Sequence, residues 1–569
     1  MKENASALAV VVIKVARSGI SFLGPGKTCS HTRGKFEFMW TKLAGGTDIE
    51  QVKKLRTDLS GCVVSHAPGT GKTRLAITFV QSYLELFPRC CPVILAPKGM
   101  LATWEQEFKK WNSKVQFHVL NSPRIQRNGG DKTIERLAAD DEDLTRKLLG
   151  RKFSRNLKLL SWSEGNSVIG LSYTLFTNLT KEGGSGKMRK LFLERPDLLV
   201  LDEGHIPRNK DSLIYKALDQ VRTRKRIVLS GTPFQNNFDE LHNIFSLLRA
   251  DDVDPSFWNS LTVNNVTVKR INEIRPKLER FVHIHNGDIL NKSLPGLRES
   301  VVILNPLPMQ KKIIEMIEKV KTKSAFWLEH KISLASVHPS LLTSMSNLPD
   351  EIASIVDEPS PERIRLNPSE GVKARFVYEM VRRCRRSKER VLVFSQYLEP
   401  LNLIMEQLSM EFNWTRDKDI MLMTGDVRVE TRQSLMTAFN DMNSDAKVML
   451  ASTKACGEGI QLIGASRVVL LDVVWNPSVG RQAIGRAYRI GQQKIVHTYN
   501  LITEGTQEKS KYDRQAKKDH MSKLLFSNES QLPAQSNESP ESIFNDSILE
   551  HMTEDENLKE MFVNILPSQ

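Results

Sequence analysis

Short apolar runs rich in β-branched residues alternate along this chain with longer stretches of helical periodicity. The alternation is typical of a parallel sheet wrapped by helices. It occurs twice, so the sequence predicts an α/β fold of two lobes, each a parallel sheet flanked by helices. In the first lobe the predicted strands are Cys62–Val64, Val93–Ala96, Leu198–Asp202 and Arg226–Ser230. In the second lobe they are Val391–Ser395, Ile420–Thr424, Val448–Ser452, Val468–Asp472 and Val496–Leu501.

The stretches between these strands predict a division into segments. Residues 1–34 match no element, and the first lobe covers 35–255, with an insertion at about 121–190 around the flexible Gly183–Gly186. Residues 256–370 are predicted as a helical or linker insertion, because their mixed pattern ends in a stretch rich in Pro, Ser and Glu. The second lobe covers 371–526. The polar and acidic tail at 527–569 is predicted to be largely disordered.

Composition narrows the class of protein. The 569 residues are 40% hydrophobic and 26% charged, a globular balance that excludes collagen-like, mainly disordered and membrane-embedded chains. The best apolar run, Ala7–Ile13, is broken by Lys14, so we expect no membrane span, no signal peptide and an intracellular protein. The six cysteines are scattered, without a CxxC pair or the ligand spacing of a zinc site.

The charge is distributed unevenly. The whole chain carries a net charge of +15, but from Phe526 onward nine acidic residues stand against Lys559 alone. That stretch is therefore net −8, and residues 1–525 carry about +23. Such a positive net charge favours a polyanionic partner such as nucleic acid. A role in solubility alone would also explain the charge.

A glycine-rich segment follows the first predicted strand. Residues 66–73 read HAPGTGKT and precede the helical stretch Arg74–Leu84. This order suits a phosphate cradle, because glycines let backbone N–H groups converge on an anion at the positive end of a helix. Lys72 would meet the β- and γ-phosphates, and the Thr73 hydroxyl would coordinate Mg²⁺. The predicted nucleotide-binding residues are Pro68, Gly69, Thr70, Gly71, Lys72 and Thr73.

The match to the strict phosphate-loop pattern is partial, since that pattern has glycine where His66 stands. Two other glycine–lysine segments compete with it. Gly24–Thr28 is followed by no clear helix, and Gly183–Lys187 lacks the hydroxyl residue after its lysine. Both are weaker candidates for a nucleotide site.

A Mg²⁺–nucleotide site also needs an acid at the end of a neighbouring buried strand. The strand Leu198–Asp202 ends in Asp202 and Glu203. Asp202 is suited to holding the metal through water, while Glu203 can orient and deprotonate the attacking water. The alternative is a strand end capped by solvated acids.

Motifs in both lobes resemble, in family order, those of the SWI/SNF-type branch of superfamily-two helicases. In the first lobe the matches are Val93–Trp111 (motif Ia region), Asp202–His205 (DEAH box) and Leu229–Asn236 (third motif). In the second lobe they are Val391–Tyr397 (motif IV), Ala451–Leu462 (motif V), Asp472 with Trp475–Pro477 (the segment that follows) and Gln482–Gln492 (motif VI). Together they cover most of the chain, from about Lys35 to Gly505.

The resemblance implies two RecA-like lobes and ATP hydrolysis with Mg²⁺. Lys72, Asp202 and Glu203 are then catalytic residues, with the metal at Thr73 and Asp202. Arg486 and Arg489 become the arginine fingers that neutralise charge on the γ-phosphate. They are three residues apart, so we expect them on one helical face; a basic helix face without catalysis is the alternative.

The resemblance also implies translocation along double-stranded DNA without strand separation. Contacts with DNA phosphates are expected near Ser230, Thr232, Thr453 and Lys454, although Ser and Thr at strand ends often only cap helices. Gln482 resembles the motif VI glutamine that lies near the nucleotide.

Several stretches look like the plant CLASSY subfamily. They are Ser65–Thr73, Asp202–Pro207, Leu294–Arg298, Val337–Leu341 and Ser452–Cys456. This resemblance implies a nuclear chromatin remodelling factor that works with plant RNA polymerase IV in small-RNA-directed (siRNA) DNA methylation.

One departure from the family pattern favours an alternative function. Thr32 stands after His31 where a glutamine that reads adenine is expected. Gly204, which replaces the usual alanine of the acid box, is a smaller change that should leave the metal chemistry possible. The alternative is a catalytically weak or inactive nuclear scaffold that binds nucleotide or DNA and recruits a polymerase complex.

Two other clusters have simpler interpretations. The basic run Arg382–Arg390 is predicted as the solvated end of a helix rather than a targeting patch or a DNA contact. Trp104, Phe108 and Trp111, at near-helical spacing, are predicted to pack the core of the first lobe.

Overall fold

The structure is a computed structural model. It describes residues 61–66, 70–111, 115–122, 151–165, 167–231, 238–248, 281–285, 294–320, 324–343, 361–455, 460–526 and 546–567, with isolated residues between 273 and 278 and at 352. The predicted segment 1–34, with Thr32, lies outside the described residues. The chain forms two compact units: Met1–Gly287 with Leu524–Ser527, and Asp288–Lys523 with Asn528–Gln569.

The first unit contains a seven-stranded parallel sheet. Its strands are β1 (Cys62–His66), β2 (Pro92–Ala96), β3 (Gln116–Val119), β4 (Ser167–Ser172), β5 (Leu198–Asp202), β6 (Arg226–Ser230) and β7 (Val282–His285). Their order is β3-β4-β2-β5-β6-β1-β7, and every pairing is parallel. One strand, β6, therefore separates β1 from β5.

Helices connect these strands, as parallel pairing requires. They are α1 (Lys72–Leu86), α2 (Met100–Lys110), α3 (Arg151–Glu164), α4 (Tyr173–Thr180), α5 (Gly186–Glu194), α6 (Leu213–Asp219) and α7 (Phe238–Leu247), with a 3-10 turn at Ile206–Arg208.

The core of the first unit forms where α1 and α2 pack on the sheet. Phe79 and Tyr83 of α1 are fully buried, and their rings stack at 5.9 Å. Trp104 of α2 is also fully buried, so its predicted core role is confirmed. Gly170 of β4 lies under the Phe117 ring, where a Cβ atom would come within 2.3 Å of the ring. The ring therefore excludes any larger residue at this position.

The second unit contains another seven-stranded sheet. Its strands are β8 (Leu297–Leu304), β9 (Val391–Ser395), β10 (Ile420–Met423), β11 (Val448–Ser452), β12 (Arg467–Leu470), β13 (Val496–Thr503) and β14 (Phe562–Pro567). Their order is β10-β11-β9-β12-β13-β8-β14; β14 is antiparallel to β8 and the other pairings are parallel.

Helices cover both faces of this sheet. They are α8 (Pro308–Glu318), α9 (Ala325–Val337), α10 (Pro361–Leu366), α11 (Val372–Ser387), α12 (Leu398–Phe412), α13 (Val429–Asn440), α14 (Pro477–Ala487), α15 (Glu508–Phe526) and α16 (Ser547–Glu554), with 3-10 turns at Pro339–Leu341, Pro368–Glu370 and Lys559–Met561. Along β9, Val391 and Val393 belong to one apolar cluster and Leu392 and Phe394 to another. Because successive side chains of a strand point to opposite faces, both faces are buried. No described helix is long and apolar enough to cross a membrane.

The predicted fold class is confirmed: two α/β lobes, each with a mainly parallel sheet flanked by helices. Four predicted strands, Leu198–Asp202, Arg226–Ser230, Val391–Ser395 and Val448–Ser452, match the structure at both ends. Their apolar runs are buried throughout.

The predicted insertions are wrong in part. Strand β4 lies inside the predicted insertion 121–190 but pairs with β2 and β3 in the first sheet. Strand β8 lies inside the predicted linker 256–370 but pairs with β13 in the second sheet. Strand β7 extends the first sheet to His285, beyond the predicted lobe end at 255.

The prediction of a disordered tail at 527–569 is wrong for residues 546–567. These residues form α16 and β14, and β14 adds an edge strand to the second sheet. Ile548, Leu549 and Met552 are buried in the apolar cluster of that unit. The prediction failed because the composition of this stretch is acidic, although α16 has an apolar face that packs in the core of the second unit. Residues 527–545 lie outside the described part of the chain.

Candidate functional site

The phosphate-loop candidate connects β1 to α1. Gly71, the N-cap residue of α1, has a left-handed φ of 85°, a conformation that glycine adopts at little cost. Since Gly71 has no side chain, it provides no side-chain cap to the first turn of α1, the end of a helix at which anions bind. The Lys72 ammonium donates to the backbone carbonyl of His66 at 2.8 Å, across the loop. Thr70 and Thr73 are described, while Pro68 and Gly69 lie outside the described residues.

The acid candidate lies at the carboxyl end of β5. Asp202 is 5% exposed, and both of its carboxylate oxygens accept hydrogen bonds. Oδ1 accepts from the backbone N–H of Glu203 at 3.1 Å, and Oδ2 accepts from the indole N–H of Trp104 at 2.7 Å. The Tyr173 hydroxyl donates to the backbone carbonyl of Asp202 at 2.7 Å. Two neighbouring elements, α2 and α4, therefore hold this residue.

Electrostatics link the two candidates. Burial and the neighbouring Glu203 carboxylate raise the pKa of Asp202 to about 6. The Trp104 hydrogen bond and the Lys72 ammonium act in the opposite direction on that pKa. Lys72 is thus close enough to Asp202 to stabilise its charged form. The fold brings together the loop lysine and the strand-end acid, which are 130 positions apart in the sequence.

Glu203 leaves the strand in a conformation unusual for its type. Its φ is 50°, in the left-handed region that residues other than glycine seldom adopt. The Glu203 Oε2 atom lies 3.3 Å from Nδ1 of His205. Burial and the Arg208 guanidinium lower the pKa of His205 to about 4, so its imidazole is neutral at neutral pH. Glu203 is therefore flanked by a neutral ring rather than by a cation on this side.

Gly204 packs directly against the sheet. Its backbone N–H donates to the carbonyl of Leu229 at 2.9 Å. A Cβ atom at this position would lie 2.3 Å from Cγ1 of Val228, a distance that forces one of them to move. Glycine, which replaces the usual alanine here, therefore fits beside Val228 without displacing it.

These residues fit a Mg²⁺–nucleotide. The Thr73 hydroxyl and the Asp202 carboxylate offer oxygen ligands, which Mg²⁺ prefers, and it usually combines one or two carboxylates with phosphate oxygens and water. Within the described ranges, no group of three or more His, Cys, Asp and Glu side chains could hold a metal ion alone. A metal at Asp202 would therefore depend on the nucleotide for further ligands.

The predicted arginine pair lies in the second unit. Arg486 is in the last turn of α14 and is 9% exposed, while Gln482 lies one turn earlier. The prediction that Arg486 and Arg489 share one helical face is wrong. The helix ends at Ala487, and its C-cap residue Tyr488 has φ −83° and ψ 83°. Arg489 therefore lies in the turn after the helix.

Gln492 holds this turn, a role that the sequence analysis did not assign. Its side-chain amide donates to the carbonyls of Ile463, Ala465 and Ala487 at 3.0, 2.8 and 3.2 Å. The backbone N–H of Gln492 donates to the Arg489 carbonyl at 2.9 Å. A buried amide therefore fixes the backbone that carries Arg489.

The four predicted DNA-contact residues differ in exposure. The side chain of Ser230 is fully buried, and DNA contacts near it stay a prediction. Thr232 lies outside the described residues. Thr453 follows β11 and lines a cavity of about 200 Å³ with Asp472 and Arg481. Lys454, the next residue, is exposed.

The basic run Arg382–Arg390 is only partly a solvated helix end. Arg383 forms ion pairs with Glu379 and with Asp555, the latter at 2.7 Å. Arg390 is 4% exposed and donates to the carbonyls of Asp441 and Ser444 at 2.7 and 3.0 Å. Arg385 and Arg386 are exposed, as predicted for the whole run.

Comparisons with known proteins indicate the family of this chain. The family model described as SNF2-related domain matches residues 35–353, and the helicase conserved C-terminal domain model matches residues 372–491. The chain is 43% identical to the SNF2 domain-containing protein CLASSY 3 of Arabidopsis thaliana, over 94% of this chain and 40% of that protein. It is also 43% identical to CLASSY 4 of the same plant, over 94% of this chain and 48% of that protein. The chain thus spans less than half the length of these two relatives.

Among solved structures, the Sulfolobus solfataricus SWI2/SNF2 ATPase core in complex with dsDNA is 19% identical. The match covers 87% of this chain and 91% of that chain, with a TM-score of 0.34. Since the SNF2-related domain model covers more than half of the residues and the helicase C-terminal model follows it, the chain belongs to the SNF2-related, helicase-like family.

Proposed function

We propose that this chain is an ATP-dependent translocase on double-stranded DNA, and that it acts as a chromatin remodelling factor. The observation that supports the proposal is that Asp202, buried at the carboxyl end of β5, interacts electrostatically with Lys72 at the start of α1 in the same unit. A strand end capped only by solvated acids would not bury its acid.

Each residue of this cluster has a proposed task. Lys72 and the first amides of α1 bind the β- and γ-phosphates of ATP. Asp202 and the Thr73 hydroxyl hold Mg²⁺, which when bound neutralises charge on the phosphates. Glu203 accepts a proton from the attacking water.

Residues of the second unit complete the proposal. Arg486 and Arg489 supply positive charge to the γ-phosphate as the bond to it breaks, and Gln482 contacts the nucleotide. Gln492 keeps Arg489 in position. These assignments rest on the resemblance to motif VI.

Double-stranded DNA is proposed as the substrate on the basis of the net charge and of the sequence similarities. The chain carries a net charge of +15, which favours a polyanion, and the exposed Lys454 is a candidate phosphate contact. The similarity to CLASSY 3 and CLASSY 4 supports a nuclear role in small-RNA-directed DNA methylation, with an RNA polymerase IV complex as partner. The chain spans less than half the length of both relatives, so the chromatin role of such whole proteins is only proposed for it.

ATP hydrolysis with and without duplex DNA tests the proposal. The wild-type chain should hydrolyse ATP, and duplex DNA should stimulate the rate several-fold. Glu203→Gln keeps the shape of the side chain but removes the base, so it should abolish stimulated hydrolysis while nucleotide binding persists. Wild-type protein that binds DNA without any stimulated hydrolysis would contradict the motor and favour the scaffold that recruits a polymerase complex.

A further inference from the structure

We propose that Trp104 is a positioning residue for Asp202, and that its indole N–H sets the carboxylate orientation in which Asp202 holds the metal. This inference rests on the proposed function, because it concerns the same site. The sequence indicates only a core role for Trp104, which lies 98 positions from Asp202.

The contact has the geometry of a strong hydrogen bond. The donor and acceptor atoms are 2.7 Å apart, and both side chains are buried, with Trp104 0% and Asp202 5% exposed. Hydrogen bonds to an ionised acceptor are shorter and stronger than neutral ones, and more so away from water.

The bonding pattern selects one form of the carboxylate. An indole N–H is only a donor, and so is the backbone N–H of Glu203 that binds the other oxygen. Each oxygen of Asp202 therefore accepts a hydrogen bond. This arrangement suits the ionised carboxylate, which is the form that a metal or its bound water requires.

Trp104 is itself held in place, so it can impose an orientation. Its ring packs against Phe108 and Phe117, with centroids 6.3 and 6.5 Å away. Phe117 stacks on Phe108 at 4.7 Å, which closes the cluster. The indole cannot turn without moving two other buried rings. Partners that orient a metal-holding carboxylate typically contribute 10- to 100-fold to metal affinity or activity.

Another tryptophan of the first unit provides a matched control. Trp162 is also 0% exposed, and its indole N–H donates to the backbone carbonyl of Pro92 at 2.9 Å. Its ring stacks on Phe192 at 6.0 Å. Replacing either tryptophan with phenylalanine removes one buried indole donor from the same unit, but only one of the two donors contacts Asp202.

The experiment compares Trp104→Phe with Trp162→Phe in the full chain. Mn²⁺ binding in the presence of a non-hydrolysable ATP analogue is followed by electron paramagnetic resonance. Analogue binding in EDTA and the Mg²⁺ dependence of hydrolysis are measured beside it. Trp104→Phe should weaken metal binding and raise the half-saturating Mg²⁺ concentration about ten-fold or more, with analogue binding in EDTA unchanged. Trp162→Phe should leave metal binding as in wild type.

The possible outcomes separate this inference from the proposed function. Equal metal binding by Trp104→Phe and wild type would overturn the positioning role and leave the ATPase standing. Wild-type protein that binds no metal with the analogue would overturn both.

A measurement on wild type applies if Trp104→Phe does not fold. Asp202→Asn identifies the indole N–H signal of Trp104 in a ¹⁵N-tryptophan spectrum, because it changes only the acceptor of that donor. Mg²⁺ with the analogue should shift this signal in wild type and leave the Trp162 signal in place. An unshifted Trp104 signal under saturating metal and analogue would overturn the inference.

Discussion

The guanidinium of Arg467, at the start of β12, forms a buried ion pair with the carboxylate of Asp546, the N-cap residue of α16. Arg467 also donates to Glu389 at 2.7 Å and to the Tyr499 hydroxyl at 2.6 Å, and Tyr499 donates to Asp546. Asp546 accepts in turn from the backbone N–H of Leu549 at 3.3 Å. A charged network therefore joins the C-terminal segment to the sheet of the second unit.

Removing Asp546 should destabilise the second unit strongly. Asp546→Ala leaves the Arg467 charge buried with fewer partners and removes the cap of α16, so the free energy of unfolding should fall by about 3–5 kcal/mol. Denaturant unfolding followed by circular dichroism measures this change.

An exposed ion pair supplies the control for this measurement. Asp445 lies 3.3 Å from Lys418, and both side chains are more than 60% exposed. Asp445→Ala should therefore change the free energy of unfolding by less than about 1 kcal/mol. Equal effects of Asp445→Ala and Asp546→Ala would show that the buried network contributes nothing beyond a surface pair.

The same network should make the second unit sensitive to acid. Burial and the Arg467 guanidinium lower the pKa of His497 to about 4, with the Asp546 and Glu389 carboxylates and Arg298 also facing its ring. The unfolded chain protonates this histidine near pH 6.5 and the folded chain near pH 4, so stability is complete above about pH 6.5 and falls as the pH drops towards 4. Arg467 also holds the pKa of Asp546 below its ordinary value despite burial, and that contribution is lost in the same direction.

Denaturant unfolding at several pH values checks this sensitivity. His497→Gln should remove up to roughly 3 kcal/mol of the pH-dependent loss between pH 6.5 and 4. His551→Gln, at an exposed position of α16, should keep the wild-type pH dependence. A wild-type unfolding free energy that stays constant over this interval would contradict the assignment.

Gly204 and Val228 should behave as a matched pair. Gly204→Ala places a Cβ atom against Cγ1 of Val228 and should cost about 1–3 kcal/mol of stability through overpacking. Val228→Ala removes that methyl group, so the double variant should recover most of the loss caused by the alanine at 204. A double-mutant cycle in unfolding free energies measures the coupling, and additive effects would argue against the contact.

The strands with continuous apolar runs can be predicted from the sequence, while the contacts at the site cannot. Leu198–Asp202 is such a run: its first four residues are apolar, and the strand is buried throughout. Strand β4 is not predicted because Gly170 and the serines at both ends interrupt its apolar run. In the structure the glycine provides the space that the Phe117 ring occupies. Strand β8 was missed because its first half reads as polar.

Side-chain partners far apart in the chain leave no local pattern. Trp104 and Asp202 are 98 positions apart, and the spacing of Trp104 with Phe108 indicates only a buried helix face. Arg467 and Asp546 are 79 positions apart, and Asp546 lies in an acidic stretch whose composition predicts disorder. Such partners become visible only when the sheet brings their elements together.

Arg489 should act on the rate of hydrolysis rather than on nucleotide binding. If it neutralises charge that develops on the γ-phosphate, Arg489→Ala should lower kcat of DNA-stimulated hydrolysis by about 10³ or more, with KM for ATP changed little. Arg385→Ala removes an exposed arginine from α11 and should leave kcat within about two-fold of wild type. A kcat for Arg489→Ala close to that of wild type would show that Arg489 does not take part in catalysis.

Duplex DNA should bind through its phosphates, so its affinity should fall steeply as salt rises. Each phosphate that the protein neutralises adds about 0.9 to the slope of log affinity against log salt, because it releases condensed counterions. A protein that makes six to ten such contacts loses roughly 10³- to 10⁵-fold in affinity between 50 and 200 mM salt.

If the exposed Lys454 makes one of these phosphate contacts, Lys454→Ala should reduce the slope by about 1 and weaken binding to all DNA sequences alike. Lys190→Ala, at an exposed position of α5, is the control and should keep the wild-type slope. Fluorescence anisotropy of a labelled duplex across a salt series gives both slopes, and a wild-type affinity that does not respond to salt would remove DNA as the partner.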